Sequence, residues 1–262
     1  MYEFLEIERP LPHVLLVRFN RPEVLNAVNT KMGGEILDVF SRINNGIDKE
    51  TQCVVITGAG EKSFCVGGDL KERNGMTEEQ WQSQRYVIKN YNMAIERCPV
   101  PVICAVNGYA LGGSSEMILR SDFAYAADDA SFGFPEIKRG FMPGSGGTQR
   151  FSRVAGAPLA LEYILTGDRF SAEQALAWGM INKVLPKTEV LSATLEVAER
   201  IAGNPEQAVR IAKQVIKSGL QTDIETGLVL EMLGHQRLTS AADRMEGIAA
   251  FVEKRDANWK KD

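Results

Sequence analysis

Apolar positions in the first half of the chain alternate between short unbroken runs and helical stripes. Residues 13–20, His-Val-Leu-Leu-Val-Arg-Phe-Asn, read as a strand that Arg21-Pro22 closes. Met32, Ile36, Leu37, Phe40 and Ile43 then recur at helical spacing and predict a helix over 30–43, although Gly33-Gly34 near its start lowers the propensity. The β-branched run at 52–57 predicts a buried strand ending at Gly58. Residues 81–95 are helical in pattern and Pro99 stops them; 102–106 is the next strand, ended by Asn107-Gly108. A helix begins at Ser114 and carries Glu116 in its first turn, and 123–127 and 130–134 are shorter strands.

The pattern changes at Pro158. From there it is nearly all helical, over 159–165, 171–178, 189–202, 205–217, 224–237 and 241–254. Ser171-Ala-Glu-Gln174 has the form of a capping box. The fold class expected is α/β, with a mixed core over residues 1–200 and a helical region over 201–262. Apolar residues on the last helices, Leu228, Leu230, Met232, Leu233, Ile248 and Phe251 among them, have little strand core left to cover. They are expected to pack on the main domain and on neighbouring subunits.

Composition narrows the function classes. The chain has 262 residues, 44% hydrophobic and 24% charged, with a net charge of -4, so nothing global points to nucleic acid or an acidic membrane. The small basic excess at 254–261 reads as a solvated tail. No leader pattern or membrane-length apolar stretch is seen, and the four cysteines form no Cys-x-x-Cys pair. Cys53 and Cys104 lie in apolar runs as reduced, buried thiols. A reducing, cytoplasmic setting is expected. Two distant histidines, His13 and His235, argue against a zinc site and against a nucleophile–histidine pair.

The candidate chemistry lies in glycine-flanked glutamates. Glu116 ends Asn107-Gly-Tyr-Ala-Leu-Gly-Gly-Ser-Ser-Glu116, in an apolar surround where a carboxylate needs a partner. Glu136 follows Pro135, and Pro143-Gly-Ser-Gly-Gly-Thr-Gln-Arg150 comes next. One carboxyl can give a proton and another take one, while glycine-exposed amides hold an oxyanion. Each feature alone has a plainer reading: a packing glycine, a first-turn acid, a surface glutamate. Gly58-Ala-Gly60 resembles the start of a dinucleotide fingerprint, but Ser63 stands at the third glycine and no helical pattern begins there. Gly67-Gly68 reads as a turn that lets a ligand approach the backbone.

Taken in order, these segments resemble the crotonase (enoyl-CoA hydratase/isomerase) superfamily over nearly the whole chain. Lys62-Ser-Phe-Cys-Val-Gly-Gly-Asp69 is similar to its first oxyanion segment, and 107–116 to its second. Phe132-Gly-Phe-Pro-Glu136-Ile, Leu165-Thr-Gly-Asp-Arg-Phe-Ser-Ala172 and 247–255 match later segments. The resemblance implies a spiral of ββα units followed by a helical trimerisation region, with trimers commonly paired as hexamers. It implies hydration of a 2-enoyl-CoA, with no metal or redox cofactor and coenzyme A entering as part of the thioester.

Residue by residue, the resemblance implies oxyanion amides at Gly68 and Gly113, Glu116 as base toward water and Glu136 as the acid for the α-carbon. It puts a water-holding amide at Gly144. Coenzyme A contacts map to Lys62, to Val66 near the adenine, and to Phe251 and Lys254 acting on a neighbouring subunit's ligand. Departures are Ser114-Ser115 before the glutamate, Gly68 where alanine is common, and the charged Lys138-Arg139. Asp69-Leu-Lys-Glu-Arg73 and 253–259 are similar to methylglutaconyl-CoA and carnitinyl-CoA hydratases, which take branched or polar acyl groups. A specialised dehydratase, an isomerase, a catalytically dead scaffold subunit and an RNA-binding protein remain as alternatives. The acidic balance counts against RNA, and the paired glutamates against an inactive scaffold.

Overall fold

The β-branched runs become strands covered on both faces. In the computed structural model, which describes residues 2–259, Leu5–Leu11 (β1) pairs antiparallel with Val14–Phe19 (β2), and Cys53–Gly58 (β3) runs parallel to β2. The C-terminal end of the basic run, residues 260 and 261, lies outside the described residues. Every residue of β3 and of Val102–Val106 (β5) is buried, as parallel strands packed on both faces require. Between β2 and β3 lies the helix Thr30–Asn44 (α1), capped by Asn29, whose side chain accepts from the Met32 amide. Gly33 explains the break in propensity there: a Cβ would sit 3.2 Å from Val87 Cγ1 and 3.3 Å from Tyr91 Cδ1. The glycine permits close crossing with Glu78–Glu96 (α3), which follows the short Leu70–Arg73 (α2).

Two sheets share the strands in alternation. Ser63–Cys65 (β4), Tyr109–Leu111 (β6) and Ser131–Gly133 (β8) lie side by side and parallel, with Arg169–Ser171 (β9) antiparallel at the edge. The larger sheet has the order β1-β2-β3-β5-β7-β10, where β7 is Phe123–Ala127 and β10 is Lys183–Leu185. The chain thus enters the large sheet, crosses to the small one, and returns through helices: β3 to β4, β5 to β6, β7 to β8. This is the expected spiral of ββα units. Gly113–Ile118 (α4) follows β6, and Gly147–Ala155 (α5) and Ala157–Thr166 (α6) follow β8.

The six-strand sheet is covered by Lys187–Ala202 (α8), reached through Ala172–Ala177 (α7). Small residues at helical spacing, Thr194, Ala198 and Ala202, are its buried contacts besides Val190. The small sheet rests on aromatic rings: Phe134 and Phe151 are 5.0 Å apart, and Phe151 stacks on Phe170 at 5.4 Å. Glu206–Gly219 (α9) docks through Lys213 and Lys217, which pair with Asp122 at 2.6 and 2.7 Å.

The structure departs from the pattern reading in three places. β1, β10 and the three-residue strands β4, β6 and β9 carry no legible periodicity, being too short or half exposed. α5, which precedes the helical pattern read from Pro158 onward, arises inside the glycine stretch at 143–150, because Gly146 supplies the left-handed φ of 102° that starts it. Ile224–Thr239 (α10) and Ala242–Glu253 (α11) do not pack their apolar residues on the main domain as expected. α10 packs on α9, pressed close at Gly234, and leaves Leu228, Met232 and Leu233 exposed; Ile248 and Phe251 on α11 are exposed too. Among the described residues no helix is long and apolar enough to cross a membrane.

Candidate active site

Three adjacent parallel strands end at the same rim of the small sheet. β4 runs into Val66-Gly67-Gly68, β6 into Gly112-Gly113, and β8 into Phe134-Pro135-Glu136. Sites at the carboxyl ends of parallel strands follow from such topology. Here it brings residues from three distant stretches of sequence around one cleft of about 1820 Å³. Val66, Gly68, Gly113, Glu116, Glu136 and Gly144 all line it.

The two glycine segments are held by close backbone contact. Val28 N–H donates to the Gly67 carbonyl at 2.8 Å and Asp69 N–H to the Val28 carbonyl at 2.9 Å, so the chain around Gly68 is pinned as a bridge. Gly67 has φ 87°, and a Cβ there would lie 3.0 Å from both the Gly113 amide nitrogen and the Leu111 carbonyl. Only glycine lets the two segments meet. Among the described hydrogen bonds, neither the Gly68 nor the Gly113 amide donates within the protein. Gly113 opens α4, where N–H groups have no intrahelical acceptor.

Ser114 and Ser115 earn their place as anchors. Ser114 Oγ–H has the Leu111 carbonyl at 3.0 Å and that of Cys65 as acceptors, tying α4 to the end of β4. Ser115 Oγ–H donates to the Ala110 carbonyl at 2.6 Å, and the Gly133 amide donates to it at 3.3 Å. The start of α4 is thus bonded to all three strands that present the cleft.

The two carboxyls flank the Gly112-Gly113 turn in different environments. Glu116 is 2% exposed, and its Oε1 accepts from the Ser145 amide at 2.7 Å and the Gly147 amide at 2.8 Å. Burial pushes its pKa up, and the Gly147 and Ser145 amides pull it back. Glu136 is also buried, but its Oε2 has no partner among the described residues. Burial pushes Glu136 up to about 7, and the nearby Glu116 charge pushes in the same direction. Amide donors on one carboxyl and none on that free oxygen set the pair apart: the amides favour the charged form of Glu116, while burial and the Glu116 charge favour the protonated form of Glu136. At Gly112, φ is 60° and a Cβ would come within 2.8 Å of Glu136 Oε1, so glycine also makes room for the acid.

Several neighbours escaped the sequence reading. The glycine stretch at 143–150 was legible as part of the site, but the amides that hold Glu116 are those of Ser145 and Gly147. Gly144 is exposed at the cleft. Arg120, 7% exposed, donates from Nη1 to Glu96 at 2.7 Å and from Nη2 to the Ser145 carbonyl, fixing the loop that carries the two amides. Nothing local in the sequence marks Arg120 for that task. The expected coenzyme A contacts divide. Val66 is at the cleft, whereas Lys62, Phe251 and Lys254 do not line it; Phe251 is 84% exposed on α11.

Comparison with known proteins agrees with this geometry. The profile of the family described as enoyl-CoA hydratase/isomerase matches residues 12–262. The short-chain-enoyl-CoA hydratase of Clostridium acetobutylicum is 38% identical over 242 residues, covering 92% of each chain. The crotonyl-CoA hydratase of Syntrophomonas wolfei is 35% identical over 258 residues, 98% of each. The crystal structure of an enoyl-CoA hydratase from Bacillus anthracis superposes with a TM-score of 0.95 at 40% identity, covering 99% of this chain and 100% of that one. With paired glutamates and glycine amides at one cleft and relatives matched from end to end, the chain belongs to the enoyl-CoA hydratase/isomerase family.

Proposed function

We propose that the protein is an enoyl-CoA hydratase, adding water reversibly across the double bond of a 2-enoyl-CoA to give a 3-hydroxyacyl-CoA. The asymmetry between the two carboxyls supports this reading best. Glu116, ionised and aimed by the Ser145 and Gly147 amides, takes a proton from water as the hydroxyl adds to C3. The electrons pass to the thioester oxygen, and the amides of Gly68 and Gly113 hold the resulting enolate. Glu136 gives its proton to C2. One water is consumed, and the proton now on Glu116 returns to Glu136 through solvent before the next cycle. The amide of Gly144, which makes none of the described hydrogen bonds, is suited to holding the water. Coenzyme A enters as part of the substrate.

Turnover of crotonyl-CoA, followed by loss of enoyl absorbance, tests the reading; no hydration of any enoyl-CoA would sink it. The pH dependence carries a sign. Glu136 must be protonated to act, so kcat/KM for hydration should fall as pH rises through about 7. A flat profile from pH 6 to 9 contradicts the role given to Glu136. Arg120→Met should slow hydration by up to about 10²-fold by loosening the loop behind Glu116. Binding of a saturated acyl-CoA should change little, and equal losses in both would make Arg120 merely structural.

The same reading covers organisation and assembly. Residues 1–200 hold the acyl-CoA site and 201–262 form a helical region whose exposed Leu228, Met232, Ile248 and Phe251 suit burial between subunits of a trimer or a dimer of trimers. Phe251 and Lys254 then complete a neighbour's coenzyme A site together with that subunit's Lys62 and Val66. Sedimentation should give a trimer or hexamer, and Lys254→Ala should raise KM more than it lowers kcat. A fully active monomer overturns this arrangement.

A further inference from the structure

Gly68 leaves a space at the cleft, and an arginine fills it. A Cβ on Gly68 would lie 2.5 Å from Arg73 Nη2 and 2.9 Å from its Cζ, so the guanidinium stands where a side chain at 68 would begin. Arg73 is held there from behind. Its Nε donates to Gln84 Oε1 at 2.8 Å, and its guanidinium lies 5.0 Å above the Trp81 ring. Gln84 is 2% exposed and fully committed: its amide donates to Thr30 Oγ1 at 2.9 Å and to Glu72 Oε2 at 2.7 Å. Glu72 Oε2 also accepts from the Thr30 amide at 2.9 Å, so that carboxylate is occupied by Thr30 and Gln84 and is not among the cleft-lining residues.

Among the described residues no carboxylate forms an ion pair with Arg73. Its Nη1 and Nη2 make none of the described hydrogen bonds, and Arg73 lines the cleft together with Gly68 and Glu136. A half-buried guanidinium so placed is partly desolvated and has two nitrogens open to an acceptor, which an anionic ligand at the cleft would supply. A neutral hydrocarbon chain offers it nothing. The phosphates of coenzyme A are separated from the thioester by the whole pantetheine arm, while Arg73 stands beside the proposed oxyanion amide of Gly68 and within electrostatic reach of Glu136.

We propose that Arg73 selects enoyl thioesters whose acyl chain carries a distal carboxylate, bound by the two free guanidinium nitrogens. The inference rests on the cleft being an enoyl-CoA site and names the substrate class within it. A carboxylate meets the planar fork with two parallel N–H···O bonds. Gly68 and Arg73 then act together: the absent Cβ at one position makes room for the charge from the other.

Calorimetry on the full protein with glutaryl-CoA and its neutral counterpart valeryl-CoA tests this without requiring turnover. The wild type should bind glutaryl-CoA about ten- to a hundredfold tighter, the ordinary size of a charge-assisted hydrogen-bond pair. Arg73→Met should abolish that ratio. Gly68→Ala, whose methyl takes the place of the guanidinium, should lower it. Equal affinity of the wild type for the two thioesters, or a preference that survives in Arg73→Met, overturns the proposal. So does an Arg73→Met change that weakens binding of free coenzyme A, relative to the wild type, as much as it weakens binding of glutaryl-CoA, since the arginine would then serve the phosphates. Hydration assays separate the two readings. Crotonyl-CoA hydrated without any glutaryl preference defeats only the carboxylate proposal. A clear glutaryl preference with neither crotonyl-CoA nor glutaconyl-CoA hydrated defeats only the hydratase.

Discussion

Glu136→Gln is expected to lower kcat for hydration by about 10²–10⁴-fold while leaving the fold and thioester binding intact. The amide keeps the shape of the side chain and can still hydrogen-bond, but it has no acidic proton to give C2. The surroundings favour the change structurally. Glu136 Oε2 has no partner among the described residues, so replacing the acid with a neutral amide orphans no donor of the protein. The variant should also lose the alkaline limb of the pH profile. A second readout follows from linkage. Glu136 has its folded pKa raised from 4.5 to about 7, so its contribution to stability is fully present below about pH 4.5 and is lost as pH rises through about 7. Thermal unfolding of the wild type minus that of Glu136→Gln should show this slope. Hydration of a good substrate at near wild-type kcat by the variant would remove Glu136 from the mechanism.

Gly113→Pro should be the most damaging change at the oxyanion amides, costing on the order of 10²–10³ in kcat. Proline deletes the N–H outright. Gly113 is the first residue of α4, the position where helices accept proline, and a Cβ there would come no closer than 3.8 Å to Gly67 Cα. The helix and the anchors at Ser114 and Ser115 should survive, which circular dichroism checks. Gly113→Ala, which keeps the N–H, is the matched control and should lose far less. A folded proline variant with unchanged kcat/KM would mean that another group holds the enolate.

The sequence by itself determined the class of fold, the helical second half and the two glutamates with their glycine segments. The reason is physical: unbroken β-branched runs, helical stripes and glycine pairs are local signals, and β3, α1 and α4 each report their own environment. Phe134-Pro135-Glu136 and 143–150 were legible for the same reason. Tertiary structure decided what those residues touch. The three-residue strands β4 and β6 are too short to show a period, yet their parallel pairing with β8 brings Gly68, Gly113 and Glu136 to one rim. Partners 29 and 31 residues away, the Ser145 and Gly147 amides, hold the charge on Glu116, and Arg120 reaches across 25 residues to fix their loop. Gly68 reads in sequence as a turn glycine. Only the folded chain shows that its missing Cβ admits Arg73, because the cost of a side chain depends on what stands opposite it in space.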